Sequence, residues 1–303
     1  MLRLLYDVYR KSPPAVKRLM AALAGVLRRA TRFTEVDLGG YVMCLDPADN
    51  AALSYHQAGR RFEQPLVDLF LECVALNDAP YVLDVGANYG FYTLAVAHSE
   101  ACRHVERIFA FEPAEMPCAA LTRSLVRNGM GAHVTLTRAI VGETSGLGTL
   151  VKSGLSSLST RAIPHTGMGD AVPVIALDTF LAPHLGDIHA HTLLIKIDIE
   201  GNEPKAFRGL GQLLTASRGF LIQFEYYPHG LFAAGETPAR FRSLLGELAI
   251  DCVIVEEGDH FVRYRDTTAL FAQMAAMDAN PRPQVAANFL VGRNVSVPAR
   301  VRA

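Results

Sequence analysis

Long apolar runs are missing from this sequence of 303 residues: the longest, Leu19–Leu27, spans nine, against the roughly 20 a membrane-crossing helix needs. A secretory leader is not expected either, because Arg28 and Arg29 follow that run where small residues should allow cleavage. Cysteine is scarce. Cys44, Cys73, Cys102, Cys118 and Cys252 form no close pair and leave an odd one, which argues against a disulfide framework and against a cysteine zinc site. The expected compartment is reducing, that is, the cytoplasm. Net charge is also nearly absent, at −1 with 19% charged residues, so neither global disorder nor a nucleic-acid surface is implied. No internal repeat and no domain linker interrupts the chain.

The near-neutral total conceals one asymmetry. Residues 1–32 hold eight Lys or Arg against Asp7 alone, a net of +7 that leaves −8 for the rest. Within them Val16, Leu19, Met20, Leu23 and Leu27 recur at helical spacing after Ser12-Pro13-Pro14, a plausible start signal. Residues 1–32 therefore read as a basic amphipathic extension. Its segment 15–29 either packs on the main body or makes a peripheral contact with the inner, anionic membrane surface. Residues 33–303 read as one domain opening with a β-hairpin, Thr31–Leu38 and Tyr41–Leu45 around Gly39-Gly40, which should flank the main sheet.

The central stretch is Tyr81–Ala97. A short apolar run reaches Asp84, a loop carries Gly86 and Gly90, and Phe91, Leu94 and Ala97 resume at helical spacing. That is strand, glycine turn, helix, with glycine where the backbone must bend and let a ligand approach. The turn lacks the Gly-x-Gly-x-x-Gly spacing of a dinucleotide site, which counts against a nicotinamide-dependent oxidoreductase. A helix over Arg60–Leu76 precedes it. After it, Arg107–Glu112 is a second strand ending in a carboxylate, and an acidic residue there is the usual acceptor for ribose hydroxyls.

Ala114–Asn128 predicts a helix and His133–Ile140 a third strand. Gly142–Val172, with six glycines and five serines, breaks the rhythm and reads as a substrate-covering segment or a flexible insertion. A fourth strand around Leu193–Ile197 exits into Asp198, Glu200 and Glu203; Gly219–Glu225 is the fifth; Asp251–Glu256 and Ala286–Val291 complete the set. His189 and His191 lack a third ligand, so no metal is expected there.

Asp84-x-Gly86-x-Asn88-x-Gly90 resembles the first motif of S-adenosylmethionine-dependent methyltransferases. Taken with Phe111-Glu112-Pro113, Lys196-Ile-Asp-Ile-Glu-Gly-Asn-Glu203, Glu225 and Asn288-Phe-Leu290, the order of motifs resembles the FkbM methyltransferases over about residues 40–292. Asn202 departs from that pattern, where a small residue such as alanine is usual. The resemblance implies an α/β, Rossmann-like class I methyltransferase fold, with a mostly parallel seven-stranded sheet and helices on both faces. It implies S-adenosylmethionine as cofactor and O-methylation of a hydroxyl on a sugar or secondary metabolite, a small-molecule acceptor rather than a nucleic acid. The alternative from another class is a non-catalytic cofactor-binding or membrane-tethered scaffold.

The cofactor residues expected are Asp84, Gly86, Ala87, Asn88, Gly90 and Glu112. A hydroxyl needs a base, and Asp198 is the first candidate, then Glu225, then Glu200, with His229 outside the main set. If the strand stays extended, Asp198 and Glu200 share a face. Glu203 instead suits the N-terminus of the next helix.

Overall fold

A computed structural model describes residues 33–49, 52, 63–152, 160–164, 171–258, 260–279 and 285–302. The expected helix at 15–29 lies outside them. Strands β1 (Thr34–Asp37) and β2 (Val42–Leu45) pair antiparallel, and the Asp37 carboxylate accepts from the Gly39 N–H at 2.7 Å to set the turn. Next come α1 (Gln64–Leu76), β3 (Tyr81–Val85), α2 (Phe91–His98), β4 (Arg107–Phe111), α3 (Glu115–Arg127) and β5 (Val134–Thr137). The short strands β6 (Ile140–Val141), β7 (Gly146–Lys152), β8 (Thr160–Pro164) and β9 (Ala171–Ile175) follow, then α4 (Leu177–Leu181). The second half contains β10 (Thr192–Ile197), α5 (Glu203–Arg208), α6 (Gly211–Ala216), β11 (Gly219–Tyr226), α7 (Pro228–Ala233) and α8 (Pro238–Glu247). The chain closes with β12 (Cys252–Glu257), β13 (His260–Tyr264), α9 (Thr268–Asp278) and β14 (Ala287–Arg293).

The main sheet has the order β13-β12-β14-β11-β10-β3-β4-β5. Five consecutive strands, β11, β10, β3, β4 and the edge strand β5, are mutually parallel, while β14 runs antiparallel to both neighbours. The fold is thus α/β and Rossmann-like, but with eight strands rather than the seven expected. The additional strand is β13, returned from β12 through Gly258 at φ +62. The outer side of β13 meets the C-terminal segment, where the Arg302 N–H donates to the Phe261 carbonyl.

Central strands of such a sheet are buried on both faces, so they read as continuous apolar runs rather than alternating ones. Alternation survives in where the side chains go. Val82, Ile108, Leu194 and Leu221 join the layer of α1, α2 and α3, with Leu69, Phe70, Leu94 and Leu121. Leu83, Phe109, Ile195 and Ile222 join the opposite layer, with Phe207, Leu210 and Phe241.

Two expectations change. The hairpin does not flank the main sheet: β2 docks on α3, where Asn128 bonds both the N–H and the carbonyl of Val42 and Ser124 accepts from Cys44. The 133–140 strand is divided, β5 pairing with β4 and β6 turning into a second sheet of order β6-β9-β7-β8. The glycine- and serine-rich segment supplies strands to that second sheet, which satisfies the backbone groups that an idle loop would leave exposed.

Candidate active site

Because β3, β4, β10 and β11 are parallel, their carboxyl ends open on one edge, where ligands of such sheets bind. The turn after β3 occupies the centre of that edge. Gly86, Asn88 and Gly90 all have positive φ, of 78°, 50° and 86°. The N–H groups of Gly86 and Ala87 both donate to the Phe111 carbonyl at 2.9 Å, tying the turn to β4. A Cβ on Gly86 would lie 1.9 Å from the Asp198 carbonyl oxygen, so only glycine lets the turn seat against the exit of β10. A Cβ on Gly90 would strike Leu121 of α3; this glycine serves helix packing and does not line the cavity.

Asp84 is also turned away from the cavity. Its Oδ2 accepts from the N–H and hydroxyl of Thr93 at 3.0 and 2.6 Å, anchoring the first turn of α2. Its Oδ1 has no hydrogen bond and lies 3.7 Å from the Lys196 ammonium. Lys196, directly opposite Asp84 in the ladder, donates to the Gly86 carbonyl at 2.8 Å and lies 3.5 Å from Asp198. Burial alone would lower the lysine pKa, but Asp198 and Asp84 outweigh it and the net shift is upward.

Gly86, Ala87, Asn88 and Glu112 all line one cavity, and Asp198, Glu200 and Glu225 line its other end. Glu112 is buried; its two oxygens accept from the N–H groups of Asn88 (2.8 Å) and Ala114 (2.7 Å). Burial pushes its pKa up to about 7, against the lowering effect of those two bonds. Each oxygen retains a lone pair for another donor.

β10 ends at Ile197, so Asp198 and Glu200 do not continue an extended strand. Glu200 is left-handed at φ 58 and Gly201 follows at φ 96, packed directly on the Gly230 backbone. Burial first, then Asp198 and Glu203, raise the Glu200 pKa to about 8. Burial, then Asp198 and Glu200, raise that of Glu225 to about 9. Glu203 lies outside the cavity lining, accepting from the Ile199 N–H at 2.8 Å and bracing the turn into α5. Asn202 lines the cavity and accepts from the Lys205 ammonium at 2.8 Å. His229 is exposed and does not line the cavity; His191 packs edge-on against Tyr81. Among the described residues no cluster of three or more His, Cys, Asp or Glu could hold a metal, and no helix is long and apolar enough to cross a membrane.

Several lining residues carry no distinct signal in the sequence. Glu63 enters from just before α1 and Tyr92 from α2, while Leu150 of β7 and Ala162 of β8 add an apolar wall beside Ala139 and Ile140. The wall comes from the segment whose composition suggests only a cover or an insertion.

No curated protein sequence matches the chain. Among solved structures, the methyltransferase FkbM from Methylobacillus flagellatus KT aligns with 80% of this chain at 13% identity and a TM-score of 0.42. This chain spans only about half of that one, 54% of its length. The O-methyltransferase from Bacillus cereus, solved in complex with SAH, aligns over 76% of this chain and 81% of its own, also at 13% identity and a TM-score of 0.42. Residues 84–252 match the methyltransferase FkbM domain, so the turn after β3, Glu112 and the exits of β10 and β11 all fall within the matched span, and the chain belongs to that family.

Proposed function

We propose that this methyltransferase uses S-adenosylmethionine to methylate a hydroxyl oxygen of a small acceptor, a sugar or secondary metabolite. The observation that carries the reading is the convergence of the Gly86–Asn88 turn, the buried Glu112 carboxylate and Asp198 on one cavity. The residues fit the cofactor. Gly86 lets the turn seat against the exit of β10 at the cavity, Glu112 keeps acceptor capacity for ribose hydroxyls, and Ala139, Ile140, Leu150 and Ala162 offer an apolar surface for a purine. When bound, S-adenosylmethionine supplies an electrophilic methyl group.

The protein's part is to orient the acceptor and remove its proton. Asp198 is the base we favour: it is paired with Lys196, and its side chain is 32% exposed, within reach of an entering acceptor. Glu200 and Glu225 have pKa values above neutrality and hold their protons, so they serve as donors that orient acceptor oxygens. Alignment of acceptor and methyl donor supplies much of the remaining acceleration.

The test is incubation of the full chain with isotopically labelled S-adenosylmethionine and a metabolite extract, read by mass spectrometry. A labelled methyl ether identifies acceptor and atom together. Label on nitrogen or carbon would reject the hydroxyl reading, and cofactor binding without any labelled product would favour the scaffold.

A further inference from the structure

Glu63 lies outside the matched span, immediately before α1, yet lines the same cavity. A pair of buried polar groups reaches the same cavity. Gln223, 2% exposed in the middle of β11, donates from Nε2 to the Tyr92 hydroxyl at 2.5 Å. Tyr92 lines the cavity together with Glu63. The face of the same ring carries the Lys196 ammonium, 5.6 Å from its centroid. Tyr92 thus packs against the lysine that holds the Gly86 carbonyl.

That placement gives the cavity two chemically different ends on either side of the turn. Toward β4 are Glu112 and the apolar wall; toward β10 are Glu63 and Asp198. Around Glu63 the field is negative, since after burial the next influence on its carboxyl is repulsion from Asp198, ahead of attraction to Lys196. Lys196 itself is already engaged with Gly86, Asp198 and Asp84. The methyl donor is likewise two-ended, a hydroxylated nucleoside joined to an amino acid with a cationic α-ammonium. We propose that Glu63 binds that α-ammonium and thereby completes the cofactor site from outside the matched span; this rests on the cofactor reading above.

The experiment is calorimetric titration of the full chain with two probes, S-adenosylhomocysteine and 5′-methylthioadenosine, which keeps the nucleoside and lacks the amino acid. Glu63→Gln should weaken S-adenosylhomocysteine about tenfold and leave methylthioadenosine unchanged. Glu112→Gln should weaken both. Unchanged binding of S-adenosylhomocysteine by Glu63→Gln overturns the proposal, and so does an equal loss for both probes, which would mean a general disturbance of the turn. If the unsubstituted chain binds neither probe, the cofactor reading itself fails and the proposal falls with it.

Discussion

The Lys196 ammonium donates to the Gly86 carbonyl across two neighbouring strands, at 2.8 Å, and so fixes the turn from beneath. The lysine is 7% exposed and faces Asp84 and Asp198. Lys196→Met would leave the Asp84 carboxylate buried without its cation. We expect a stability loss of about 3–5 kcal/mol by denaturant titration. A loss under 1 kcal/mol would mean that the carboxylates readily neutralise by protonation.

Two glycines with positive φ should respond differently to alanine. Gly129 (φ 69) has open space where a Cβ would go, so Gly129→Ala should cost about 1 kcal/mol of backbone strain. Gly86→Ala adds a collision with the Asp198 backbone and should cost more, with cofactor binding lost. Thermal melts and calorimetry on the two variants separate these effects; equal behaviour would refute the assigned role of Gly86.

Asp198→Asn keeps the shape of the side chain and removes the proposed base. Cofactor affinity should stay within a few fold while turnover falls about 10²–10⁴-fold. Near-normal turnover would exclude Asp198 as the base.

Stability should fall as pH rises from about 4.5 to about 9. Burial raises the folded-state pKa values of Glu112 and Glu203 to about 7, Glu200 to about 8 and Glu225 to about 9, all from 4.5. Between 4.5 and those values the folded chain holds protons that the unfolded chain has lost, so the stabilisation is complete below 4.5 and is lost progressively up to about 9. Melting temperatures measured from pH 6 to 9 should decline, and a flat profile would contradict the assigned burial.

Residues 15–29, with their basic apolar stripe, should bind anionic vesicles reversibly and lose that attachment as salt is raised. Failure of the full chain to co-sediment at low salt would leave packing on the main body as the better account.

What the sequence determined about this protein is what local spacing encodes. The glycine turn after Tyr81–Val85, the carboxylate at Glu112 and the acidic exit at Asp198 are each legible, because apolar runs and the residues that end them sit side by side in the chain. Parallel strands then bring those exits to one edge. The tertiary structure alone decided which carboxylates face the cavity: Asp84 turns inward to Thr93, while Glu63, which no motif marks, lines it. It also decided that the glycine- and serine-rich segment folds into a second sheet with Leu150 and Ala162 on the cavity wall. Such placements depend on pairings between residues far apart in sequence, and neither periodicity nor composition carries information about who the distant partner is.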